Sequence, residues 1–136
     1  MGLARVIELG CLDYRNWLPA LSEDSQARVL GYWELAKLRD VDTGPLSACT
    51  LTELFKIAAF DEYVRAALQF TSKSKFNNCV DGLPQMRNKV MHPVRPMVLS
   101  KSDVAEIRRK LDVFDQLNGR IQSVLAAGDT PLSLRS

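Results

Sequence analysis

Apolar residues along this chain recur at intervals of three and four, the spacing that lines one face of a helix. Val29, Tyr32, Trp33 and Ala36 stand at i, i+3, i+4 and i+7 and predict a helix over 25–40, with Trp33 as a core anchor. DVDTGPLSACT is rich in turn formers and separates this segment from the next. Thr50 followed by Glu53 has the form of a capping box, so a helix is expected to open at Leu51 and to bury Leu51, Leu54, Phe55 and Ala58. The pattern leaves open whether Asp61 and Glu62 begin another helix or only interrupt one face. Phe76, Cys79, Val80, Leu83, Met86 and Val90 make a slanted stripe that would carry a helix to Met91. Gly82 and Pro84 lie inside that stripe, so either a kink or a fresh start near Leu83 is expected. The last helix starts at Ser102, with Val104, Ile107, Leu111, Phe114, Asn118, Ile121 and Leu125 as its face and Asn118 its one polar break.

Nothing in the pattern reads as a β-hairpin, so the expected class is all-α: an antiparallel bundle of four to five helices. Residues 1–24 combine the apolar LARVIELGCL with Trp17, Pro19 and the polar SEDS, and read as an N-terminal helical extension. The main domain is expected over 25–127, and 128–136 as a flexible tail. With 136 residues, 46% of them apolar and 25% charged, the chain has the makings of one core. A domain of that size buries roughly two thirds of its unfolded surface.

Cys11, Cys49 and Cys79 are odd in number, far apart and without a Cys-x-x-Cys spacing. They suggest neither a disulfide framework nor a zinc site, and such cysteine usage fits a reducing cytoplasm. The opening lacks the apolar run of a signal peptide, and no stretch approaches a membrane span. No metal site and no cofactor are expected.

The net charge is only +2, yet it is unevenly spread: residues 87–110 carry seven cations against two anions. This basic stretch begins at Arg87 and takes in Lys89, Arg95, Lys101, Arg108, Arg109 and Lys110. It also holds the only histidine, in MRNKVMHPVRPMV. His92 precedes Pro93, which disfavours helical geometry at the residue before it, so a helix is expected to stop there. An imidazole at a helix C-terminus meets partial negative charge, keeps its titration near neutrality and can serve as a general acid or base. Asn88 lies four residues earlier on the same face, suited to orienting the ring or touching substrate. Arg87 offers a forked, permanently charged donor for a phosphate, with Lys89 and Arg95 as further substrate contacts. The bland reading is a helix-terminal cation and a C-capping histidine on a solvated face.

Phe76-x-x-x-Val80-Asp81-x-Leu83-x-x-Met86-Arg87-Asn88-Lys89-Val90-Met91-His92 resembles the motif helix of HEPN domains (higher eukaryotes and prokaryotes nucleotide-binding), marked by arginine, a polar residue and a histidine a few positions on. With LTELFKI upstream and a long final helix, the resemblance spans roughly residues 25 to 127. It implies a helical bundle that dimerises to bring two motifs to a shared cleft and, in many members, a metal-independent endoribonuclease using the RNA 2′-hydroxyl as internal nucleophile. Carried onto this sequence, His92 would transfer protons, Arg87 would stabilise the phosphate in the transition state, and Asn88 would be the polar member. The resemblance also implies a toxin or antiphage effector, with an antitoxin or other protein partner. Other HEPN domains are non-catalytic and bind nucleotide or protein. Two departures stand out: Val94 occupies the position of a tyrosine that is modified in some toxin-type members, and Pro84 lies inside the motif helix. A chain with one histidine and no carboxylate cluster suited to a metal pair would need a two-fold dimer to supply both acid and base. A DNA-binding role is disfavoured, because no recognition-helix turn is evident.

Overall fold

The computed structural model describes residues 2–41, 44–86 and 101–135, and residues 101–103 as helical backbone only. All regular structure among these residues is helical. Among the described residues the α-helices with both bounds given are α1 (Leu3–Gly10), α2 (Tyr14–Trp17), α3 (Glu23–Leu38), α4 (Leu51–Phe60), α5 (Glu62–Ala67), α6 (Lys73–Val80) and α7 (Lys101–Ala126), with a further helical stretch at 83–86. Short 3-10 turns occupy Leu18–Ala20, Pro45–Ala48 and Leu132–Leu134.

Helix α1 lies in the middle of the core. Leu3, Val6, Ile7 and Leu9 are all buried, and the helix packs on α4, α5 and α7. Gly10 sets the close approach to α5, since a Cβ there would lie 2.6 Å from Val64 Cγ2. From the stretch 1–24, read from sequence as an extension, these side chains together with Trp17 and Leu21 belong to the same core cluster as the rest.

Several boundaries follow from local hydrogen bonds. Thr50 and Glu53 form the expected capping box, with Glu53 N–H donating to Thr50 Oγ1 at 3.2 Å and Thr50 N–H donating to Glu53 Oε1 at 2.9 Å. Asp61 answers the question left open by pattern: its backbone is extended and its carboxylate accepts from Val64 N–H at 2.9 Å, so α5 is a new helix. Ser22 and Ser72 cap α3 and α6 in the same way. Helix α6 ends at Val80, Gly82 turns the chain at φ +76°, and helical geometry resumes over 83–86. The fresh start near Leu83 is therefore the observed arrangement, and Pro84 falls in the first turn, where its missing N–H costs no helical hydrogen bond.

The buried face of α3 differs from the one expected, and that of α7 agrees in part, with Ile121 buried and Ile107, Phe114 and Leu125 packed against the core. In α3 only Val29 is fully buried, whereas Tyr32 is 56% and Leu38 83% exposed. Trp33 is half-buried rather than a core anchor; it meets Tyr14 edge-on at 5.3 Å and carries Lys37 Nζ 3.5 Å from its ring centroid. The helix lies at the margin of the bundle, packing mainly on the Pro45–Ala48 turn, and no element covers its outer stripe among the described residues.

On α7, the face that is buried runs through Leu117, Ile121 and Val124, while Val104 (41%) and Leu111 (42%) are exposed. Asn118 sits at the rim with its buried Oδ1 lacking a hydrogen-bond partner among the described residues. The helix is about 39 Å long, and among the described residues its fully buried side chains all fall in the C-terminal half.

Residues beyond Gly128 have tertiary contacts of their own. Leu132 is buried, and the Arg135 guanidinium donates to the carbonyls of Val124, Gly128 and Thr130.

Candidate functional site

Arg87, Asn88, Lys89, His92 and Arg95 all lie outside the described residues, and so does the predicted helix end at His92. What is described is the frame on either side. Upstream, Phe76, Val80, Leu83 and Met86 are buried, tying α6 and the stretch 83–86 to the core. Phe76 meets Phe55 and Phe70 edge-on, at 6.2 and 5.0 Å between ring centroids. Downstream, α7 begins at Lys101.

The two sides meet at Gly82, over which the Lys110 side chain lies; a methyl group built on Gly82 would collide with Lys110 Nζ. Lys110 also pairs with Glu106 at 3.5 Å, and the same carboxylate binds Arg109 at 2.8 Å. The hydrogen bond from Arg109, with the charges of Arg109 and Lys110, holds the Glu106 carboxyl below its usual range. Part of the positive charge counted along 87–110 is thus answered locally.

Sequence pattern did not expose the Arg28–Glu53 pair, which joins α3 to α4. Glu53 is the one charged side chain buried among the described residues, at 6% exposure. It accepts from an Arg28 Nη2–H and from Thr50 N–H, while Arg28 also donates to Ala48 O at 3.1 Å. Burial alone would raise the Glu53 carboxyl; hydrogen bonds from Arg28, Thr50 and Ser25, with the Arg28 charge, outweigh it and bring it below the usual range. Only the capping spacing at Thr50 and Glu53 was readable in advance. A partner 25 positions away left no local signal.

The cysteines are unsuited to nucleophilic work. Burial pushes the Cys11 thiol far up, and its 3.0 Å hydrogen bond to Asp61 Oδ2 adds to the effect. Burial raises Cys49 to about 11 and also lifts Cys79. All three stay protonated near neutral pH, as free thiols. Among the described residues no group of histidine, cysteine and carboxylate side chains forms a metal-binding cluster, and no helix is long and apolar enough to cross a membrane.

Two clefts have side-chain chemistry of their own. One, of about 470 Å³, is walled by Tyr14, Trp17 and Trp33 over Leu46. The other, of about 480 Å³, lies between α5, α7 and the final turn and contains Arg120 and Arg135. No family profile, curated protein or solved structure matches this chain.

Proposed function

We propose that this protein is a HEPN-type, metal-independent endoribonuclease that works as a homodimer. The observation that supports the reading is an all-helical chain in which a helix restarts at 83, directly upstream of the Arg87-Asn88-x-x-x-His92 spacing and ahead of a long final helix. That is the context in which the motif has meaning. The exposed apolar positions Val104 and Leu111 on α7 suit contact with a second copy.

In the proposed reaction a histidine takes the proton from the 2′-hydroxyl as that oxygen attacks phosphorus. The phosphorus bond to the 5′-oxygen breaks, and the other copy's histidine protonates the leaving oxygen. The products are a 2′,3′-cyclic phosphate and a 5′-hydroxyl. His92 from each copy fills these roles, Arg87 stabilises the charge gathering on the phosphoryl oxygens, and Asn88 holds the ring or the substrate. Lys89 and Arg95 contact the RNA backbone. A toxin or antiphage effector restrained by an antitoxin or other protein is the setting that suits such an activity, and the cytoplasm is where its substrate lies.

The test is a structured RNA incubated with purified protein in EDTA, comparing wild type with His92→Ala and Arg87→Ala. Cleavage that survives EDTA and falls by about 10² to 10⁴-fold in the histidine variant is the expected result. RNA left intact at high enzyme excess overturns it in favour of a non-catalytic HEPN module that binds nucleotide or protein.

A further inference from the structure

Arg5, Arg15, Arg28 and Arg109 sit beside carboxylates. Arg120 and Arg135, like Arg39, Arg65 and Arg108, have no such ion pair among the described residues. Arg120 and Arg135 differ from those three in lining one cleft together, of about 480 Å³, between α5, the C-terminal half of α7 and the final turn, and no described aspartate or glutamate lines it with them. Among the described residues both arginines hydrogen-bond only to main-chain carbonyls. Arg120 donates to Leu68 O at 3.3 Å and lies 5.1 Å from the Phe70 ring centroid. Arg135 donates to Thr130 O at 3.0 Å, Val124 O at 3.1 Å and Gly128 O at 2.8 Å.

Those carbonyls orient the guanidinium planes but supply no formal negative charge, and each fork keeps N–H groups that they do not use. Holding two long side chains in place on folding removes an entropy cost from any later binding step. Ser123, Ser133, Tyr63 and Gln69, all bearing hydrogen-bonding side chains, line the same cleft. Gln69 occupies left-handed geometry at φ +68°, where glycine is the usual choice.

We infer that this cleft binds a small phosphate monoester. Paired arginine forks and hydroxyl donors offer more hydrogen bonds than a carboxylate's two oxygens take up, whereas a dianionic phosphate accepts on three. The volume falls within the range of small-molecule sites. A tracking nucleic-acid strand is disfavoured because the positive charge is local: Glu62 faces the adjoining cavity beside Arg65, and Asp129 is held by Arg5 at 2.8 Å. The inference is independent of the ribonuclease reading, since none of these residues belongs to the Arg87–His92 motif.

The experiment is calorimetric titration of the full-length protein at low salt with phenyl phosphate, and in a second arm with a single-stranded RNA whose ends carry hydroxyls. Saturable binding of phenyl phosphate with Kd below about 1 mM is expected, weakened about tenfold or more by Arg120→Gln and by Ser123→Asp. Ser123 is exposed, so that variant adds a repelling carboxylate without disturbing the core. Lys56→Gln, on the exposed face of α4, should bind like wild type. No saturation by about 10 mM, equal weakening by Lys56→Gln, or undiminished binding by Ser123→Asp overturns the inference. Displacement of phenyl phosphate by the RNA at lower concentration transfers the site to a phosphodiester strand and overturns it equally.

Discussion

Replacing Arg28 with methionine removes the cation paired with Glu53, a carboxylate that is 6% exposed and joins two helices. Losing one partner of a buried pair typically costs about 3–5 kcal/mol. Arg28 is itself 36% exposed, so its own desolvation is incomplete and solvent screens the pair. A loss of roughly 2–3 kcal/mol at pH 7 is therefore expected, because Glu53 keeps the Thr50 N–H and burial then raises its pKa. For a chain of this size that corresponds to a fall in Tm of about 6–12 °C.

The pH dependence carries a sign that separates this cause from lost packing. In the wild type the folded Glu53 carboxyl lies below its unfolded value. Its stabilisation is thus complete above about pH 4.3 and is lost as pH falls through the depressed folded value. In Arg28→Met the folded value lies above the unfolded one, so the variant gains stability from protonation as pH falls. The difference between the two proteins should shrink between pH 7 and about pH 4. Urea unfolding at several pH values, with circular dichroism as the signal, measures it. Arg28→Met/Glu53→Gln should recover part of the loss, since glutamine retains the capping-box bond without a charge. A loss below about 0.5 kcal/mol, within the range of an ordinary surface change, would refute the account, as would one unchanged with pH.

Three further outcomes are expected. Leu117→Ala should cost about 2–5 kcal/mol in urea unfolding and Leu111→Ala less than about 1, because Leu117 is buried and Leu111 is 42% exposed; equal losses would contradict the observed register of α7. Gln69→Gly should raise stability by about 0.5–1 kcal/mol by relieving left-handed strain at the end of α5, and a drop in Tm would argue against strain at that site. With the folded protein at pH 8, a disulfide reagent should label Cys11, Cys49 and Cys79 more slowly than an unstructured thiol, and urea should release all three; fast labelling of Cys11 in the folded state would contradict its burial beside Asp61.

Local rules account for where agreement was good. A capping side chain reaches only to the third residue ahead, so Thr50 with Glu53 marks a helix start from local sequence, as do Gly82 just before 83–86 and Pro84 in the first turn of that stretch. Burial is different. The stripe Val29, Tyr32, Trp33 and Ala36 does share a helical face, but whether a face is covered depends on what the rest of the chain puts against it. Aromatic residues tolerate the margin, and here Tyr14 and Lys37 satisfy Trp33 there. On α7 the apolar spacing admits two neighbouring registers, and the choice of Leu117 over the Asn118 line follows from where that helix meets the core.

By itself the sequence determined the all-helical class, the helix starts that carry their own caps, and the basic stretch with the Arg87-Asn88-x-x-x-His92 spacing, because each depends on residues within a turn or two of one another. Only the tertiary structure decided that α1 is central, that Leu132 and Arg135 fasten the last residues, that Arg28 reaches Glu53, and that Arg120 and Arg135 converge on one cleft. Those contacts join residues far apart along the chain, and their existence depends on burial and geometry that no local spacing encodes.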